Sequence, residues 1–334
     1  MSIRIAVIGT GIMGWAHARI VAEDMPGAEL KVVCDADFSK ARRVADELGA
    51  SDVSTDASTI AAREDVDAVI IASPDATHPT LCLETIRHRK FILCEKPLAP
   101  DVKGCLEVIE AETAAGRRLV QVGFMRRFDP SYVEMKSELR EGVVGSALML
   151  HCVHRNVSAP PDFKGFMAVS NSAPHEFDIA RYVLDTDIAA ISVFQPKGFD
   201  AKTVAPIFMV VETTGGQLVN IEVNNNAGYG YDVRGELVGA AGSITLAAPI
   251  HTRVNADLAS FERYPVDWIP RFADAYRLQN KAWLRAVQTG SWHPDAASCW
   301  DGYWASLVAE AGVKALETKS RVQLNAVERP PIYA

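Results

Sequence analysis

Along the first 125 residues one pattern recurs: a continuous apolar run of four to six residues, a turn, then a polar stretch whose apolar positions return at helical spacing. The runs lie at 3–8, 30–34, 68–72, 91–94 and 119–122, and 39–48 and 101–115 are two of the helical stretches between them. A strand that alternates sides exposes one face, whereas a short unbroken apolar run is buried on both. Such runs alternating with helices predict a parallel sheet covered on both faces, a doubly wound α/β domain of the Rossmann type.

After about residue 145 the texture changes. "IFMVVETTGGQLVNIEVNNN" and "RGELVGAAGSITL" are longer, richer in β-branched residues, and broken by Gly or Asn. Thr-Gly-Gly after Val211 and Ala-Ala-Gly after Val238 are hairpin signals, so an open, mostly antiparallel sheet is expected. Helical periodicity returns at 271–288 and 300–317. The expected organisation is an α/β domain over 1–123 and an α+β domain over 124–334, with closing helices able to pack back on the first.

With 334 residues and 49% hydrophobic composition, the chain exceeds what one core usually serves, which agrees with two domains. The net charge of -8 is spread without blocks of like sign, which argues against a nucleic acid or an anionic membrane as partner. Cys34, Cys82, Cys94, Cys105, Cys152 and Cys299 have no ligand spacing, so neither a zinc site nor a disulfide framework is expected. No basic leader precedes the run at residue 3 and no apolar stretch approaches a membrane span, so a soluble cytoplasmic protein is expected.

"IAVIGTGIMGWAHARI" places Gly9, Gly11 and Gly14 in a G-x-G-x-x-G spacing between the first strand and a helix. That context suits a dinucleotide: the first glycine turns the chain, the second admits the pyrophosphate, and the third lets helix and strand approach. The helix N-terminus then offers N–H groups to the phosphates. About twenty residues on, Asp35 ends the second strand, where a carboxylate can accept from the adenosine ribose hydroxyls and repel a 2'-phosphate. Ala36, Asp37 and Phe38 follow without an arginine, so NAD is favoured over NADP. The expected cofactor contacts are Gly9, Gly11, Ile12, Met13, Gly14, Asp35, Ser73, His78 and Glu95.

"KFILCEKPLAP" sets Glu95, Lys96 and Pro97 at the end of the fourth long run. An isolated Glu-Lys-Pro is most simply a surface turn with an ion pair, but ligands of an open α/β sheet lie beyond the carboxyl ends of its strands. On the N-terminal glycine motif, the "EKP" tripeptide and a β-rich C-terminal half, the chain resembles the glucose-fructose oxidoreductase/inositol dehydrogenase (Gfo/Idh/MocA) family over nearly its whole length. The resemblance implies that Lys96 contacts substrate and is catalytic. An ammonium beside a bound polyol can donate to the reacting oxygen, and desolvation with nearby nicotinamide charge would lower its pKa. Glu95 would fix the turn and contact the cofactor edge; Pro97 would hold the lysine backbone extended or enter a cis bond.

Oxidation also requires a group to take the hydroxyl proton, and histidine is suited to it. Among eight histidines, His175 in "NSAPHEFDIARYVL", with Asp178 three positions on, resembles the family's signature. Where inositol dehydrogenases of the family carry an aspartate, this chain has Asn171, which can orient an imidazole but lends it no charge. Either His175 is then a weaker base, or Lys96 carries more of the proton transfer. "GFMRRFDPSY", "HCVHRN" and "YGYDVRGELVG" also resemble the inositol branch and imply Arg127, His154 and Tyr231 as polyol contacts, with Arg126 and Tyr229 as alternates and a structural ion pair or core tyrosine as the plainer role.

The expected function is NAD-dependent oxidation of a secondary hydroxyl of a cyclic polyol, an inositol, to the ketone, with no metal required. A sugar dehydrogenase acting on an aldose or anhydro-sugar is one alternative, and a non-catalytic dinucleotide-binding regulator is another. The alternating apolar face of "IFMVVETTGGQLVNIEV" needs a cover, so a homodimer or homotetramer through this sheet is expected.

Overall fold

The computed structural model describes residues 2–200, 202–247 and 252–334. Ile3–Ile8 (β1), Ala28–Cys34 (β2), Asp52–Ser54 (β3), Ala68–Ile71 (β4), Phe91–Cys94 (β5) and Val120–Val122 (β6) alternate with helices Ile12–Asp24 (α1), Phe38–Leu48 (α2), His78–Arg87 (α3) and Val102–Ala114 (α4). The strands pair in parallel in the order β3-β2-β1-β4-β5-β6. This is the doubly wound order that reverses direction between β1 and β4, where such folds bind dinucleotides. Every residue of β4 is buried, as its unbroken apolar run implies. Strand β3, by contrast, has three half-buried residues at the sheet edge and leaves no run to read.

Local chemistry sets the helix ends. Asp37 accepts from the Ser39 and Lys40 N–H groups to open α2, and Gly49, at φ 72°, closes it in the left-handed region. Asp101 accepts from Gly104 N–H to open α4.

Helix Pro130–Arg140 (α5) leads into Ala147–Arg155 (β7), which precedes Pro174–Leu184 (α6). Strands Ile188–Phe194 (β8), Ile207–Thr213 (β9), Leu218–Asn224 (β10), Asp232–Gly239 (β11) and Gly242–Thr245 (β12) follow, then Arg253–Ala256 (β13) and Ala259–Glu262 (β14). Helices Trp268–Thr289 (α7) and Cys299–Thr318 (α8) and strand Val322–Gln323 (β15) complete the order. The larger sheet runs β12-β11-β7-β10-β9-β8-β15. The expected hairpins β9–β10 and β11–β12 form, while β10 also pairs with β7 in parallel. The separate β13–β14 hairpin turns through Asp257 and Leu258, both at positive φ. Asp-Leu carries no glycine or asparagine to announce such a turn.

Register sorts this sheet into two faces. Leu150, Cys152, Met209, Val211, Val219, Ile221, Val223 and Leu237 share one face and are buried. Gly312 of α8 lies against Val169 and Ile191, where a Cβ would come within 2.6 Å of Val169. On the other face Phe194 stands opposite Phe208, and they remain 54% and 43% exposed.

The chain divides into two compact units, each assembled from separate segments. The first comprises the chain up to Phe128 with Asp274–Ser306 and Val327–Ala334; the second comprises Asp129–Ala273 with Leu307–Ala326. Within the first, Val122 N–H donates to Ala297 O at 3.0 Å, and Gly302 lies against Leu98 and Val122. Glu112, fully buried, accepts from the Val120 N–H at 2.7 Å, from the Leu119 N–H, and from the Tyr333 hydroxyl. All six cysteines are unbridged and buried. Among the described residues no helix is long and apolar enough to cross a membrane.

Candidate active site

The glycine turn is built as its spacing predicts. Gly9 has φ 94°, and a Cβ there would lie 2.4 Å from Ala72 O; one at Gly14 would lie 1.9 Å from Gly9 O. Both positions therefore exclude any side chain. At Gly11 nothing lies within 4 Å, which leaves room beside the N-terminus of α1. Ile12 is 61% exposed there, and the first turn of α1 that it forms with Met13 and Gly14 carries no acid to oppose an anion. The residues present fit a pyrophosphate.

Asp35 follows β2. Its Oδ2 accepts from Thr10 N–H at 2.8 Å and from the Thr10 hydroxyl at 2.6 Å, while Oδ1 accepts from Asp37 N–H at 2.9 Å. Burial pushes this carboxyl up, but the Thr10 hydroxyl and the two backbone N–H groups outweigh it and hold the group below its ordinary 3.8. Thr10 was not legible as a partner, because it lies 25 positions from the acid it orients.

Beyond β4, the Ser73 and Thr77 hydroxyls lie 2.6 Å apart. His78, buried at the start of α3, has Nδ1 2.7 Å from Pro97 O and Nε2 2.9 Å from Ser73 O. It ties the ends of β4 and β5 together. Beyond β5, Glu95 N–H donates to Ile71 O, Lys96 is half-buried, and the Lys96–Pro97 bond is cis. Glu95 is buried, with Oε2 accepting from its neighbour's amide, Lys96 N–H, at 3.2 Å. Arg127 pairs with Asp301 at 2.9 Å, and Asp301 in turn accepts from the Ser298 N–H and hydroxyl. Arg126 is the more deeply buried of the two arginines.

In the second unit, His154 at the end of β7 has Nδ1 3.2 Å from Glu176 Oε2, and the Asn156 amide lies 3.5 Å from Nε2. The Tyr231 ring meets the imidazole edge-on at 5.9 Å and is itself buried against Phe272. Tyr229 is instead 46% exposed and binds Arg155 and Asp232, so Tyr231 is the tyrosine that packs on His154. Asn171 lies in the π turn Ala168–Ser172, and His175 lies in the first turn of α6 behind Pro174, buried with Asp178 on the same helix. Glu176 could be found only from the fold, since nothing local links it to a histidine 22 positions away.

A reversing parallel sheet, a glycine turn opening a helix, an anionic strand end and a lysine beyond β5 define a dinucleotide-dependent oxidoreductase. The chain belongs to the Gfo/Idh/MocA oxidoreductase family, whose NAD-binding Rossmann domain matches residues 3–124 and whose C-terminal α/β domain matches 136–324. The resemblance drawn from "EKP" and the glycine motif is thereby borne out, and NAD is the cofactor. Inositol 2-dehydrogenase 1 of Saccharopolyspora erythraea is 42% identical over 337 residues, covering 100% of this chain and 99% of its own. Inositol 2-dehydrogenase of Streptomyces avermitilis is 39% identical over 98% of this chain and 96% of its own. The crystal structure of myo-inositol dehydrogenase from Lactobacillus casei, in complex with NAD(H) and myo-inositol, superposes with a TM-score of 0.94 at 27% identity and covers 100% of both chains.

Proposed function

We propose that this enzyme oxidises a secondary hydroxyl of an inositol to the ketone with NAD. What carries the reading is Lys96, on a half-buried turn beyond β5 in the sheet that holds the glycine motif, in a chain similar along its length to inositol 2-dehydrogenases. Bound at the glycine turn, NAD supplies the hydride acceptor. Gly11 would admit the pyrophosphate beside Ile12 and Met13, with Gly9 and Gly14 holding the turn, Asp35 would accept from the ribose hydroxyls, and Ser73, His78 and Glu95 would shape the nicotinamide end.

The Lys96 ammonium donates to the reacting oxygen, and His175 takes the hydroxyl proton while Asn171 orients its ring. His154, with Nδ1–H given to Glu176 and Nε2 beside the Asn156 amide, borders the polyol. Arg127, held by Asp301, and Tyr231 border the polyol. The same reading includes a homodimer or homotetramer through the Phe194/Phe208 face and a cytoplasmic location, which six unbridged cysteines suit.

The test is NAD reduction by the purified protein across inositol isomers and simple sugars. An inositol is expected to give the highest kcat/KM, and turnover of aldoses alone would overturn the substrate. Lys96→Ala is expected to retain NAD binding while kcat falls by roughly 10²-fold.

A further inference from the structure

Three segments of the first unit are joined in series through one buried histidine. Asn280 Nδ2, on α7, lies 2.9 Å from His17 Nδ1, on α1, and His17 Nε2 lies 2.9 Å from Glu95 Oε1. The other oxygen of Glu95 holds the Lys96 amide. His17 and Asn280 are 0% exposed and Glu95 6%, so these bonds lie away from bulk solvent. Gln279 Nε2 donates to Asn280 Oδ1 at 3.5 Å, which leaves the amide nitrogen facing His17. Nδ1 therefore accepts, hydrogen sits on Nε2, and the neutral ring donates to Glu95. On the far side, a Cβ at Gly123 would lie 2.9 Å from Glu95 Oε1, so the carboxylate occupies space that only glycine leaves.

We propose that His17 is a positioning residue for Lys96: with its tautomer set by Asn280, it holds Glu95, and Glu95 holds the lysine backbone through the Lys96 N–H. The inference rests on the reading of Lys96 as the group that contacts the reacting oxygen. A buried carboxylate stripped of one donor turns toward another, and the amide it held moves with it. Displacement of about 1 Å at a reacting group costs up to ~10²-fold in rate. The glycine turn that binds the pyrophosphate is left intact.

The experiment uses the full-length protein with NAD and myo-inositol, comparing His17→Leu, His17→Gln and Lys96→Ala. His17→Leu is expected to lower kcat about 10-fold or more, with KM and the Kd for NAD within about twofold of the parent. His17→Gln should recover most of the rate, because its amide donates to Glu95 and its oxygen accepts from Asn280. An unaltered kcat in His17→Leu beside an impaired Lys96→Ala overturns the positioning role alone, as does a His17→Gln variant no better than His17→Leu. An unaltered kcat in Lys96→Ala overturns the reading of Lys96, and this inference with it. Should His17→Leu fail to fold, ¹⁵N imidazole shifts of the parent protein decide: a neutral His17 protonated on Nε2 supports the inference, and a proton on Nδ1 overturns it.

Discussion

Asp35, which we propose accepts from the ribose hydroxyls, is held in place by groups that are not ligands. Because Thr10 and the Asp37 N–H keep it below the ordinary carboxylate range, it is charged throughout the neutral range. A folded-state pKa below the unfolded one adds stability above the unfolded value, lost as pH falls through the folded value. Asp35 should accordingly stay charged as pH falls from neutral, and any narrowing of the discrimination against NADP over the mildly acidic range should track protonation of the 2'-phosphate, whose second pKa is about 6. The ratio of kcat/KM for NAD over NADP is expected to be at least about tenfold, on the order of 1.4 kcal/mol, and Asp35→Ser should narrow it. Equal values for the parent enzyme would remove Asp35 from the ribose site. At Asn171, substitution by Asp should supply His175 with a neighbouring charge and move the acid limb of the pH-rate profile upward. Loss of activity without movement of either limb would instead place Asn171 on the substrate. Gly9, Gly14 and the place of Asp35 at the end of β2 were legible because they follow from spacing along the chain. His17, Thr10 and Glu176 were not, since each acts on a partner that only the fold brings near.

Among the elements, the parallel strands were the plainest in the sequence, because burial on both faces leaves an unbroken apolar run. The hairpins of the larger sheet were legible from their glycines, whereas the parallel pairing of β7 with β10 was not, since no local turn dictates it. The contact between α1 and β1 should be unforgiving. Gly14→Ala would drive a methyl into Gly9 O, so loss of NAD binding is expected by fluorescence titration, ahead of any change in substrate KM. At the other end of the unit, burial together with neighbouring Cys299 and Glu112 pushes the Tyr333 hydroxyl far above its ordinary pKa, so it stays a donor to Glu112. Tyr333→Phe leaves a buried carboxylate oxygen without that donor and should cost about 1–3 kcal/mol, read as a lower midpoint in urea. An unmoved midpoint would mean that Glu112 finds another partner.

For the whole molecule, the open sheet face is the feature that most needs a partner. Phe194 and Phe208 flank one another beside a polar lattice in which Arg155 binds Glu222 and Arg321 binds Glu212. Sedimentation at micromolar concentration is expected to show a dimer or tetramer, and Phe208→Glu should shift it toward monomer; a parent protein that is monomeric would contradict the assembly. The alternation that suggested this face was readable in the strands. That the closing helices could pack back on the first domain was expected, but where each unit's segments begin and end was not legible, because helical periodicity at 271–288 and 300–317 does not mark the point at which a helix passes from one unit to the other.

The first unit's discontinuity also bears on the order in which the chain is made. A ribosome delivers the glycine turn, Asp35 and Lys96 early, yet the edge strand β6 then waits for Ala297, Glu112 waits for Tyr333, and His17 waits for Asn280. During synthesis the nascent nucleotide fold therefore carries an unfinished flank for some 175 to 263 residues, the separations of these pairings. A polypeptide released before these later segments are made would present the cofactor motif on a body that lacks them, and so would be exposed to chaperones or proteases.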